Sequence, residues 1–176
     1  MSPLAWAFTG LLVAVILSFL LPGWVGGVWS PTPKDVARIM LELADPRPGE
    51  HLVDLGCGDG RLLMLAAERG LQATGYEINP FWRWWVAVKA SLLGVRGSVR
   101  VRGEDLFRAS LEDVQIVTVF LSQAALNRLE PIFAEKLPQG ARIVTYEKVL
   151  PGWAPQKAVE VRPGKWVYLY AKGEDV

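Results

Sequence analysis

From residue 34 onward the chain alternates stretches of helical period with short continuous apolar runs. Val36, Ile39, Met40 and Leu43 recur at 3-4-7 spacing and predict a helix that Asp45-Pro46-Arg47-Pro48-Gly49 stops. Leu52, Val53 and Leu55 read as a buried strand with Asp54 at its carboxyl end. The run Leu62 to Ala67 then opens a helix closed by Gly70. Ala73 to Ile78 is a second strand. Beyond Asn79-Pro80 a helix carries Phe81, Trp85, Val88 and Leu92 on one stripe and ends at Gly94. Ser98 to Arg102 alternates, with Val99 and Val101 inward, and Ile116 to Leu121 is a β-branched run typical of a buried parallel strand. Gln123 to Leu137 is helical, with Leu126, Leu129, Phe133 and Leu137 together, and Pro131 is expected to kink or divide it. Ala141 to Tyr146 is a further strand. Ala158 to Val161, the Pro163-Gly164 turn and Trp166 to Ala171 read as a hairpin. Strands alternating with helices, then a hairpin, predict an α/β class: a doubly wound, mostly parallel sheet with one antiparallel edge.

The first thirty residues follow another pattern. No charged residue occurs before Lys34, and Leu4 to Leu21 is almost wholly apolar between Pro3 and Pro22. As a helix it would be about 27 Å long, near the ~30 Å hydrocarbon core of a bilayer. Trp6 lies near one end, and Trp24 and Trp29 beyond the other, like an aromatic belt. A cleaved signal peptide needs a basic start and a small-residue cleavage site, and neither is present; a buried core helix would show some solvent face. The expectation is a transmembrane anchor and joint over residues 1–29, followed by the α/β domain over residues 30–176. Lys34 and Arg38 follow the segment closely, which puts the body on the cytoplasmic side.

Net charge is +1 over 176 residues, so nothing in the bulk charge calls for nucleic acid. The local basic group Arg96, Arg100, Arg102 and Arg108 reads as a solvated face. A single cysteine, Cys57, excludes an intrachain disulfide, and no Cys/His cluster suggests a metal. His51, the one histidine, starts a strand and is expected in a solvated position. The candidate chemistry lies in Asp54-Leu55-Gly56-Cys57-Gly58-Asp59-Gly60, with Glu77 twenty-one residues after Gly56. Glycines at alternate positions let a ligand approach the backbone, and the following helix offers its free N–H groups. An acid about 20 residues beyond such a turn is placed to accept ribose hydroxyls. The loop is not G-x-G-x-x-G, and Asp54 before the first glycine would repel a pyrophosphate. A nucleoside cofactor bearing an ammonium group would suit it.

These residues resemble class I S-adenosylmethionine (SAM)-dependent methyltransferases, whose first motif is an acid followed by G-x-G-x-G. The resemblance implies a Rossmann-like fold with SAM as cofactor. It implies that Asp54, Gly56, Gly58 and Gly60 hold the methionine end, that Glu77 holds the ribose and that Asp105 lies beside the adenine amine. Within the class the body resembles the small protein-lysine methyltransferase branch, which includes an archaeal broad-specificity enzyme and the mitochondrial ATP synthase c-subunit enzyme. The matching pieces are Pro31-Thr32-Pro33, Asp54 to Arg61, Gly75 to Pro80 and Asp105 to Phe107. By that resemblance Thr32, Asn79 and Leu106 join the cofactor residues. Cys57 stands for the usual serine, and Ser122-Gln123 and Thr145-Tyr146-Glu147 depart from the branch's pattern.

No N-P-P-Y or D-P-P-Y tetrapeptide follows the fourth strand, which argues against a flipped base as acceptor. A lysine ε-amine needs alignment and loss of its proton, and Tyr146 and Glu147 could line its channel. A lipid or quinone methyltransferase and a non-catalytic SAM-binding membrane module are the alternatives. The expected partners are protein lysines and the membrane, without nucleic acid. Trp82, Trp84 and Trp85 around Arg83 cannot share one helix face, so some are expected only partly buried, as a face resting on the headgroup layer would be.

Overall fold

The computed structural model describes residues 31–173, together with Ser2, Trp6, Phe8, Thr9 and Gly10. The expected membrane span, Leu4 to Leu21, therefore lies largely outside the described residues. Among the described residues no helix is long and apolar enough to cross a membrane.

Seven strands form one sheet: β1 (His51–Leu55), β2 (Gln72–Tyr76), β3 (Val99–Arg102), β4 (Ile116–Val119), β5 (Arg142–Tyr146), β6 (Lys157–Arg162) and β7 (Lys165–Ala171). Their order is β3-β2-β1-β4-β5-β7-β6. The first five are parallel; β7 pairs antiparallel with β5, and β6 with β7. The strand order reverses at β1, where β2 lies on one side and β4 on the other. In open parallel sheets that reversal leaves a crevice beyond the carboxyl ends. The expected α/β architecture, with its antiparallel hairpin, is the one found.

Four helices cover the sheet: α1 (Lys34–Leu43), α2 (Arg61–Glu68), α3 (Pro80–Leu92) and α4 (Gln123–Lys136). Residues of α1, α2 and α3 share one core with Leu52, Ala73, Val99 and Val144. Leu126, Leu129 and Phe133 of α4 share a second with Val53, Val117 and Ile143 on the opposite sheet face. Alternate strand residues thus feed opposite cores, as the pleat requires. Local chemistry sets the helix starts. Gly60, at φ 71, turns the chain into α2. Asn79 caps α3 by accepting from Phe81 N–H at 2.9 Å, with Pro80 at the first helical position, and Ser122 caps α4.

Several expectations need correction. α3 buries Val86 and Ala90, not the Phe81, Trp85, Val88 and Leu92 stripe. The reason is close packing: a Cβ placed on Gly60 would lie 2.7 Å from Val86 Cγ2, so only small side chains fit between α3 and the loop. Phe81, Trp85 and Leu92 point outward, with Leu92 81% exposed. α1 is rotated slightly from its expected face and buries Val36, Ala37, Met40 and Leu41, leaving Ile39 and Leu43 half-buried. Pro131 does not divide α4, which runs unbroken through it. His51 is half-buried, with Nε2 2.9 Å from Thr74 Oγ1, and burial lowers its pKa.

Candidate active site

The end of β1 carries Asp54 into the crevice, buried, with its register partner on β4 being Thr118. The Thr118 hydroxyl donates to Asp54 Oδ1 at 2.8 Å. Burial pushes the Asp54 carboxyl up to about 7, the Thr118 hydrogen bond opposes that, and the Asp59 and Glu77 charges add to it. Asp54 carries no arginine or lysine partner among the described residues, so it is a buried acid suited to an incoming cation.

The glycine loop folds back over the end of β2. Gly56 N–H and Cys57 N–H both donate to Tyr76 O, at 2.9 and 3.1 Å. Gly58 N–H donates to Glu77 Oε2 at 3.0 Å, and Asn79 N–H to Glu77 Oε1 at 2.8 Å. Each Glu77 oxygen thus keeps a further lone pair for a ligand hydroxyl. Gly56, Gly58 and Gly60 all have positive φ, which explains the alternate glycines. Gly75 on β2 is needed for another reason. A Cβ there would collide with Cys57 Sγ and lie 2.7 Å from Leu63 Cδ1. Cys57 itself is buried, and burial raises its thiol pKa well above its ordinary value, so it is no nucleophile.

Glu77 N–H donates to Arg102 O at 3.0 Å, so the segment after β3 leaves from beside Glu77. It leads to Asp105, exposed, whose Oδ1 caps the short 3-10 turn Leu106–Arg108 by accepting from Phe107 N–H at 3.1 Å. Leu106 is half-buried against the second core. Thr32 is buried, and its carbonyl accepts from the Arg61 guanidinium. Arg61 also makes a two-pronged pair with Asp59, 2.8 Å at each contact. Burial opposes ionisation of Asp59, but Arg61 outweighs it and holds the carboxyl below its usual range. This brace ties the segment before α1 to the glycine loop. Neither Arg61 nor Thr118 stands out as a site residue in the sequence, although Thr118 is the one polar side chain of β4.

Asp54, the loop, Glu77 and Asn79 are thus brought together, with Asp105 on the adjoining segment. Tyr146 and Glu147 lie two strands away, at the carboxyl end of β5. The Tyr146 ring is buried and stacks obliquely on Phe120, centroids 4.7 Å apart. Burial, then the Glu147 charge, raises the Tyr146 pKa. Glu147 takes a left-handed backbone, φ 63, and its Oε1 holds Lys165 Nζ at 2.6 Å. Among the described residues no group of histidines, cysteines and acids could hold a metal ion.

The model for the ANTKMT methyltransferase domain matches residues 54–157, more than half of the chain. The chain belongs to this family. It is 34% identical to a protein-lysine N-methyltransferase of Saccharolobus islandicus (strain REY15A), over 82% of this chain and 92% of that one. It is 40% identical to the adenine nucleotide translocase lysine N-methyltransferase of Mus musculus, over 73% of this chain but 57% of that enzyme. Among solved structures, an RNA methyltransferase from Salinibacter ruber in complex with S-adenosyl-L-homocysteine is similar. It has a TM-score of 0.78 and 35% identity, over 84% of this chain and 96% of that one. The protein is a SAM-dependent methyltransferase. Its acids fit that cofactor: a buried carboxylate without a cationic partner suits an ammonium, and carboxylate oxygens with spare lone pairs suit hydroxyls and an amine. A phosphate-bearing cofactor would be repelled by the same set.

Proposed function

We propose that this methyltransferase acts on lysine ε-amines of proteins, at or near a membrane to which residues 1–29 anchor it. The similarity to two enzymes named for lysine methylation, reaching along most of the chain, carries the reading. Asp54 receives the α-ammonium of the cofactor, Glu77 its ribose hydroxyls and Asp105 the adenine amine. Gly56, Gly58 and Gly60 let it approach the backbone, while Thr32, Asn79 and Leu106 border the same crevice. When bound, SAM supplies a methyl group on an electrophilic sulfonium. Tyr146 and Glu147 form the acceptor side: Glu147 already holds one lysine, Lys165, which shows that an ammonium fits against it.

An incoming lysine must shed its proton before it can act as a nucleophile, since its ordinary pKa is about 10.4. Glu147 favours the ammonium, as it does at Lys165, and so serves arrival, whereas the Tyr146 and Phe120 rings form an apolar surface that favours the neutral amine once the proton has passed to solvent. Alignment then does most of the work.

The test is to incubate the full chain with methyl-labelled SAM and a membrane extract, then hydrolyse the proteins in acid. Release of labelled methyl-lysine is expected. Label confined to lipids or quinones would move the acceptor to those molecules. Label in RNA would favour the chemistry named for the Salinibacter ruber protein. For the anchor, resistance to alkaline extraction from membranes is expected, with the body accessible to protease from the cytoplasmic side. A chain released by alkali would remove the anchor.

A further inference from the structure

α3 is apolar on both of its faces, and the described body covers one. Val86 and Ala90 are buried against the sheet and the glycine loop. The opposite stripe presents Phe81, Trp84, Trp85 and Leu92 to the outside, with Val88 half-buried among them. Trp84 is 59% exposed, and Ile78 just before the helix and Leu93 at its end are half exposed. The rings of Phe81, Trp84 and Trp85 lie together, with centroids 6.1 and 6.4 Å apart in succession. A helix apolar all round belongs between two apolar layers, and a clustered exposed patch marks a contact surface.

Charge says what covers it. Between Glu77 and Glu104 there is no acidic residue, whereas Arg83, Lys89, Arg96, Arg100 and Arg102 all fall in that interval. Arg96 is exposed beside the end of α3, its guanidinium 3.4 Å from Ser91 Oγ. Arg100 and Arg102 alternate with Val99 and Val101, which face the α3 core, so they point to the other face of the sheet, and Arg102 pairs with Glu104 at 3.6 Å; the rim of the stripe is Arg83, Lys89 and Arg96. A protein groove would be met by an apolar face with mixed charge at its rim. Tryptophan and leucine rimmed by one sign of charge match the headgroup layer of an anionic bilayer.

Chain connectivity points the same way. The chain enters the described body at Pro31, and Thr32 O accepts from Arg61, the partner of Asp59. Lys89 of α3 reaches back to Asp59 O at 3.5 Å, and Val86 packs on Gly60. The described body is therefore entered on the sheet face that carries α3.

We infer that the outer stripe of α3 docks on an anionic lipid surface and orients the crevice toward lysines close to that surface. The inference rests on the membrane reading above only for the tether, since the stripe and its basic rim stand by themselves. The experiment uses the full chain with an environment-sensitive fluorophore on Trp84→Cys, Cys57 being buried. The control carries it on Glu135→Cys, which is exposed near the end of α4, on the other face of the sheet and at the edge away from the crevice. Each is bound to vesicles of phosphatidylcholine with and without phosphatidylserine, containing headgroup-spin-labelled lipid. Quenching at position 84 severalfold above that at 135, greater with phosphatidylserine and reduced by high salt, is expected. A chain that floats with the vesicles but is quenched equally at both positions overturns the docking face and leaves the anchor standing. A chain that stays in the soluble fraction removes both. Emission at 84 that is already blue-shifted before lipid is added gives the face to a second copy or to the chain's own N-terminus, and overturns the proposal.

Discussion

Thr118 donates its hydroxyl hydrogen to Asp54 Oδ1 at 2.8 Å between register partners on β4 and β1, sixty-four residues apart in sequence. It is the one hydrogen bond to the Asp54 side chain among the described residues, and it opposes the burial that pushes this carboxyl up to about 7. Two pH effects of opposite direction follow.

In the proposed site the cofactor ammonium pairs with ionised Asp54, so protons would compete with it below pH 7. The SAM dissociation constant should be about tenfold larger at pH 6 than at pH 8. Thr118→Val removes the hydrogen bond, raises the Asp54 pKa further and moves the loss of affinity to higher pH. Calorimetry over that range checks both; a pH-independent affinity in the unmodified chain would take Asp54 out of the ammonium site.

Stability of the ligand-free protein runs the other way. The folded Asp54 pKa lies above its ordinary 3.8, so between about pH 4 and 7 the folded state holds the extra proton. The contribution is present in full below pH 4 and is lost as pH rises through about 7. Carrying a carboxyl over that interval corresponds to about 4 kcal/mol. Asp54→Asn should flatten this part of the urea-unfolding profile without SAM.

Glu77 is already committed at both oxygens, to Gly58 N–H and Asn79 N–H. Glu77→Ala therefore removes the proposed ribose acceptor and also strands two backbone donors at the loop. Loss of a charge-assisted hydrogen bond costs about 1.5–3 kcal/mol, so SAM affinity should fall at least tenfold. Glu77→Gln keeps one acceptor oxygen and should retain part of the affinity with less loss of melting temperature. Equal affinity in all three proteins would remove Glu77 from the ribose.

Gly75 tests the packing under the loop. Its backbone is not left-handed, so Gly75→Ala strains nothing locally. The added methyl meets Cys57 and Leu63 Cδ1, which must move. Overpacking of this kind costs about 1–3 kcal/mol. The double substitution Gly75→Ala with Cys57→Ala should recover part of the loss in denaturant titration, since it vacates the sulfur's place.

The sequence made the first half of the site legible because its signals are local. Alternate glycines and an acid at the next strand end report backbone needs that are met within thirty residues, and the acid before the glycines stands at a fixed spacing from both. The partners of those groups were not legible. Thr118 looks like any β-branched residue of a buried strand until β4 is laid beside β1, and Arg61 looks like a helix-surface arginine until Thr32 comes near. On α3 the periodicity followed the largest apolar residues, but the sheet and Gly60 accept only the small ones. The fold class survived that error because it depends on where elements start and stop, whereas a buried face depends on what stands opposite.

Glu147 and Lys165 offer the sharpest test of the acceptor side. Glu147 N–H donates to Trp166 O at 2.8 Å, which fixes this residue in its left-handed conformation, and its carboxylate holds Lys165 at 2.6 Å. Lys165 is exposed, so solvent screens the pair and the fold loses little without it. In the proposed reaction the incoming lysine ammonium reaches the same carboxylate and must displace Lys165. Glu147→Gln should then raise the KM for a lysine peptide by roughly two- to fivefold, with kcat and melting temperature nearly unchanged. Lys165→Ala frees the carboxylate and should lower KM. The opposite signs are the signature of competition, because a purely structural ion pair would shift KM in the same direction from either partner. Glu147→Gly adds a separate readout: it relieves a left-handed residue, which costs about 1–2 kcal/mol for a side chain with a Cβ, while also losing the acceptor. It should be more stable than Glu147→Gln and no better at binding the peptide. Steady-state kinetics beside melting curves decide the matter, and a Lys165→Ala enzyme with raised KM would take Glu147 out of the acceptor site.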